Sequence, residues 1–153
     1  MSEAFSITHG YSERKRTQIW EAARIIGVDE PYLSRLVDAF YDRIRADTRL
    51  GPIFQAELGE DWGPHLDRMK RFWASVALNA GGYSGKPVAV HQRLRSVERE
   101  DFDCWLALFR ATLKDTAPTP DAVQYLIIRA ERIALSLKFS MFDKTENGVP
   151  TLR

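Results

Sequence analysis

Chemistry in a chain like this one has to come from few side chains. Three histidines, one cysteine and a rich set of tryptophans and tyrosines are the groups able to ligate, donate a proton or act as a nucleophile. His9 lies in a polar stretch. His65 and His91 each fall on the inward side of an amphipathic segment. An imidazole placed inside without a partner costs about 1–3 kcal/mol, so each is expected to be hydrogen-bonded, metal-bound or beside a wet cavity. Taken alone, either one reads first as a satisfied core or rim residue. Cys104 precedes Trp105 with no histidine next to it, which reads as a structural thiol rather than an activated thiolate.

Other chemistries lose their usual support. The acids stand mostly beside Arg or Lys and read as solvated surface rather than as a catalytic carboxylate pair. No GxSxG, HExxH, phosphate-binding glycine loop or CxxC occurs. Twenty-two Lys and Arg against twenty-one Asp and Glu leave a net charge of +1, so the chain carries no electrostatic footprint for nucleic acid or an anionic membrane. A single cysteine forbids an internal disulfide framework and fits a reducing cytoplasm. The opening MSEAFSITHGYSERKRTQ is polar where a secretory signal needs an apolar core, and no segment approaches the roughly 20 apolar residues of a membrane span.

The elements that must position these residues follow from apolar spacing of three and four, which makes the class all-α. A chain of 153 residues, 44% of them hydrophobic, can bury one core and not two. An amphipathic piece around Ile19, Trp20, Ala23 and Ile26 forms a short helix ending near Gly27. Asp29 is an N-cap before Glu30-Pro31, and Leu33, Leu36, Val37, Phe40, Tyr41 and Ile44 share one face of the helix that follows. Gly51-Pro52 interrupts it, leaving Ile53-Phe54 in a short connecting turn. Gly63-Pro64 opens a helix with His65, Leu66, Met69, Phe72, Trp73 and Val76 on one side, ended by Gly81-Gly82. Pro87 starts a two-turn helix carrying Val88, His91 and Leu94. Phe102, Trp105, Leu106, Phe109 and Leu113 form the next stripe. Thr119-Pro120-Asp121 caps the last long helix, whose core face is Tyr125, Leu126, Ile133, Leu137 and Met141.

The strings FYDRIRADTRLGPIF, HLDRMKRFW, GYSGKPVAVHQRL and FDCWLALF, in this order, resemble the group III truncated haemoglobins, a bacterial globin family with a two-over-two helical sandwich around haem. The resemblance runs from about Leu33 to Met141. It implies a truncated globin domain over residues 29–144; the segment over 1–28 departs from the family pattern and is expected to add a helical extension, and the tail over 145–153 is expected to be disordered. The resemblance also implies haem b as cofactor, with His91 as the proximal iron ligand. Tyr41, His65 and Trp105 would line the distal side, the hydroxyl and the indole N–H donating to a bound ligand and His65 gating access or swinging toward the iron. Phe54 would lie flat on the porphyrin, with Phe40, Met69, Phe72 and Trp73 as wall, and Arg68 would reach a propionate. Those wall residues read equally well as ordinary core.

The implied function is binding of dioxygen, carbon monoxide or nitric oxide with slow release rather than transport, because several donors around a polar ligand hold it. The alternative on the same haem is a redox enzyme that reduces peroxide or consumes nitric oxide, which requires a reductase the sequence does not name. A haem-free helical module binding a protein through an aromatic groove is the competing class.

Overall fold

The computed structural model describes residues 14, 15, 17–78 and 97–143. The expected helix carrying Val88, His91 and Leu94, the Gly81-Gly82 stop and the tail over 145–153 lie outside the described residues.

Helix α1 covers residues 17–25 and ends as glycine permits. Gly27 takes φ 92°, the Gly27 N–H donates to Arg24 O at 2.9 Å and the Val28 N–H to Ala23 O at 2.9 Å. This pair of bonds satisfies carbonyls that a helix end otherwise leaves open. Ala23 is buried as its spacing predicts, whereas Trp20 is 42% exposed with the Arg24 guanidinium 4.8 Å from its ring. Over residues 17–25 Ala23 is buried and Ile19 half-buried while the rest are exposed, so α1 buries a narrow stripe.

Helix α2, Glu30–Ala46, starts where the cap is read, the Asp29 carboxylate accepting the Tyr32 N–H at 2.8 Å. It buries Leu33, Leu36, Val37, Phe40, Tyr41 and Ile44 together with Tyr32. The Asp47 carboxylate then accepts the Arg49 and Leu50 N–H groups at 3.0 and 2.8 Å and starts α3, Leu50–Leu58. Ile53 and Phe54, expected in a connecting turn, are therefore helical. Gly51-Pro52 falls in the first turn, where a proline's missing N–H costs nothing. Gly51 is needed for a second reason: a Cβ there would stand 2.7 Å from the Arg45 carbonyl oxygen, so α3 departs from the end of α2 with backbone against backbone.

Helices α4 (Gly63–Leu78), α5 (Asp101–Thr116) and α6 (Pro120–Lys138) complete the described frame, and α6 runs on into a π-helical turn, Phe139–Asp143. The α6 cap is as read: the Thr119 hydroxyl oxygen accepts the Ala122 N–H at 3.1 Å and donates its own proton to Ile26 O at 2.6 Å, tying α1 to the base of α6. Helix α2 packs on α3, α4 and α5, α5 packs on α6, and α4 reaches α6. The described core is thus two helix pairs, α2 with α4 and α5 with α6, laid across one another. Two tyrosine hydroxyls tie the crossing. Tyr32 Oη pairs with Thr116 Oγ1 at 2.9 Å, and Tyr125 Oη donates to Ala77 O at 2.6 Å. Between the layers the Phe109 ring lies parallel to Trp73 (5.1 Å) and to Trp105 (5.8 Å), with Phe40 edge-on at 5.0 Å. Such ring pairs add to the energy of burial and fix geometry.

Candidate ligand pocket

Tyr41 sits one turn before the last turn of α2, on its buried face, and His65 sits in the first turn of α4. The crossing of these helices brings the Tyr41 hydroxyl to 3.1 Å from His65 Nε2. The two rings are nearly perpendicular, 5.1 Å between centroids, and both residues are buried, at 4% and 2% exposure. A hydroxyl and an imidazole paired in a shell of rings form a polar spot in apolar surroundings. Phe54 of α3 stands edge-on to Tyr41 at 5.9 Å and 6.3 Å from His65, so the helical placement of Phe54 closes this spot from the α3 side.

A half-open apolar recess lies beyond Phe54. Leu50 and Phe54 of α3, Phe102 and Trp105 of α5, and Leu137 and Met141 at the end of α6 line it, with Val97 and Asp101 at its rim. Trp105 reaches it half-buried, held by Phe40 edge-on at 5.5 Å. The structure thus places Tyr41, His65 and Phe54 in direct ring contact, and joins Trp105 to them through Phe40. Met69, Phe72 and Trp73 are buried on the same α4 face as His65, Trp73 being stacked on Phe109. Arg68 is half-buried on α4. His91 lies outside the described residues.

Two contributors escape sequence reasoning. Trp62, just ahead of Gly63-Pro64, is 3% exposed and 6.0 Å from Phe54. Its indole N–H is shared between Gly59 O at 2.9 Å and Gln55 Oε1 at 3.1 Å, and the Arg45 guanidinium covers the ring at 4.4 Å. A large aromatic immediately before a helix-opening Gly-Pro is the signal that was there to read. The second is Asp101, which belongs to a charged run read as solvated surface and is in fact 6% exposed. The Arg49 guanidinium donates to both of its oxygens at 2.9 Å, and the Glu98 N–H donates to one of them at 2.8 Å. This bidentate pairing offsets the desolvation of the carboxylate at the cavity rim.

Electrostatically the interior is quiet. Burial raises the pKa of Tyr41 far above the ordinary phenol value, so it remains a neutral hydroxyl at any physiological pH. The Arg49 hydrogen bonds hold Asp101 below the usual carboxylate range, keeping it ionised and paired. Burial, then the charges of Asp47 and Asp101, push the Cys104 thiol up, consistent with a structural role. Among the described residues no group of three His, Cys, Asp or Glu side chains is placed to hold a bare metal ion. An apolar, ring-lined recess that includes Trp105, with the buried Tyr41–His65 pair on the other side of Phe54, suits a flat, largely apolar cofactor.

No protein-family model matches the chain. The group 3 truncated haemoglobin Ctb of Campylobacter jejuni is 32% identical over 110 residues, covering 70% of this chain and 86% of that one. The crystal structure of a group III truncated haemoglobin from Campylobacter jejuni superposes with a TM-score of 0.71 at 28% identity, covering 77% of this chain and 94% of that one. The fold is that of a globin with a shortened helical sandwich. The chain belongs to the group III truncated haemoglobins, globin-type haem proteins, as the sequence resemblance implied.

Proposed function

We propose that the protein binds haem b through His91 and holds dioxygen or another small diatomic ligand under Tyr41, His65 and Trp105, releasing it slowly. The observation that carries this reading is the buried Tyr41 hydroxyl at 3.1 Å from His65 Nε2. Haem, when bound, would supply an iron able to take a diatomic ligand.

The rest is work for the chain's own residues. Tyr41 carries one proton and two lone pairs. With that proton directed to a ligand, the 3.1 Å contact to His65 is one in which the hydroxyl oxygen accepts from Nε2–H. The pair then acts as one unit: His65 in its Nε2–H form fixes the hydroxyl's rotation and aims its proton. Burial, by keeping the phenol neutral, preserves this donor across pH. Trp105 adds an indole N–H, a donor that cannot itself accept. Each such bond contributes about 0.5–1.5 kcal/mol, so two of them slow release by roughly one to two orders of magnitude. Phe54 and Trp62 pack edge-on against the Tyr41 ring and hold it in place.

The reading is tested by the visible spectrum of the purified protein in ferric, dithionite-reduced and carbon monoxide-treated forms. A Soret band that shifts at each step is the expected result. A protein that takes up no added haemin would overturn it.

A further inference from the structure

Helix α6 turns its inner face to the core, yet its outer face is not uniformly polar. Ile128 is 43% exposed, Leu135 66% and Phe139 43%. At 100° per residue these three lie within an arc of about 40°, so they form one stripe along the helix. Among the described residues the other large exposed apolar side chains, Trp20 and Ile25, sit apart on α1. Scattered single apolar residues need no explanation, but an aligned row does.

We propose that this stripe is a self-association face, through which two copies of the chain pair α6 against α6 in antiparallel orientation. The order of side chains along the stripe argues for a second copy. Glu131 and Arg132, both exposed, stand midway between Ile128 and Leu135. With a two-fold axis passing between Glu131 and Arg132, Ile128 of one copy meets Leu135 of the other and Glu131 meets Arg132. Gln124 falls opposite Phe139. Ile128 with Leu135 and Glu131 with Arg132 each pair twice, as an isologous interface requires. A partner of different sequence would have no need of this internal symmetry.

Glu131 is held within its own chain by Arg110 Nη2 only loosely, at 3.8 Å with both side chains about half exposed, so it is available to turn toward a second copy. One antiparallel helix pair buries less than the roughly 1,200–2,000 Å² of a standard stable interface. The dimer is accordingly weak and concentration-dependent.

Sedimentation velocity of the haem-loaded protein from about 1 µM to about 1 mM covers the relevant affinities. The weight-average mass is expected to rise from one chain toward two. Leu135→Glu should weaken association at least about tenfold while leaving the visible spectrum and Tm unchanged, since the side chain it alters touches little of its own fold. Glu131→Arg and Arg132→Glu should each weaken association alone, and the two together should restore it, because the double reversal rebuilds both cross-pairs. A mass of one chain throughout, association indifferent to Leu135→Glu, or a double reversal as weak as the singles would each overturn the proposal.

Discussion

Tyr41→Phe isolates the hydroxyl at the centre of the proposed site. The ring and its edge contacts to Phe40 at 5.3 Å and Phe54 at 5.9 Å are kept, so no cavity larger than one oxygen atom opens. What is lost is one hydrogen bond to His65, with the buried imidazole keeping its other surroundings. The net cost of such a bond is about 0.5–1.5 kcal/mol, which for a chain of this size lowers Tm by roughly 1–6 °C. On the ligand side the same interval converts to release faster by about 2- to 13-fold. The assay is stopped-flow displacement of dioxygen by carbon monoxide, with Tyr41→Phe and wild type compared at matched haem content. Release unchanged within twofold, with the haem spectrum intact, would remove Tyr41 from the donor role. A pH series adds a second arm. An ordinary phenol ionises near pH 10. The burial of Tyr41 raises that value, so wild-type release should show no tyrosine-linked break near pH 10. Such a break would refute the argument that burial preserves the donor.

Three further outcomes are expected. His91→Ala should strip haem during gel filtration, read as a collapsed Soret-to-280 nm absorbance ratio; full retention would take His91 out of the proximal role. Thr119→Ala removes both the α6 cap and the tie to Ile26 O, and should cost about 1–2 kcal/mol, lowering Tm by roughly 2–8 °C, whereas Thr119→Ser should recover most of it. Arg49→Ala leaves the buried Asp101 carboxylate without its guanidinium and should lower Tm by a few degrees at neutral pH. Because the pair depresses the Asp101 pKa, the stability it contributes is present above the ordinary carboxylate value and lost as pH falls through the depressed one; the gap between variant and wild type should therefore close in acid, and a gap independent of pH would argue against the pairing.

The sequence spoke clearly wherever a signal was local. Asp29 and Thr119 cap the helices they were read to cap, and the face of α2 from Leu33 to Ile44 is buried residue for residue. His65 and Tyr41 were individually legible as inward polar groups, and their meeting was implied only by family resemblance, since no local rule brings residues 24 apart in sequence to 3.1 Å. Three features resisted. Gly51-Pro52 carries the same composition at a turn and at a helix start, and only the close approach of α2 to α3 decides between them. Trp20 obeys helical spacing yet stays 42% exposed, with Arg24 over its ring. Asp101 looks like any surface acid, and its burial depends on Arg49, 52 residues away along the chain.

The joint at Gly51 bears on how a pocket of this kind can change over generations. A Cβ there would press on main-chain carbonyls, at 2.7 Å from Arg45 O and 3.2 Å from Ile44 O, and no rotamer change could relieve it. The angle at which α3 leaves α2, and with it the seat of Phe54, is thus set by contact between two stretches of backbone. Side chains around the cavity can be exchanged one at a time and screened for new ligands while the floor stays put. The inclination of the floor itself offers no such gradual path, so diversity in this pocket is expected to accumulate in its chemistry rather than in its frame.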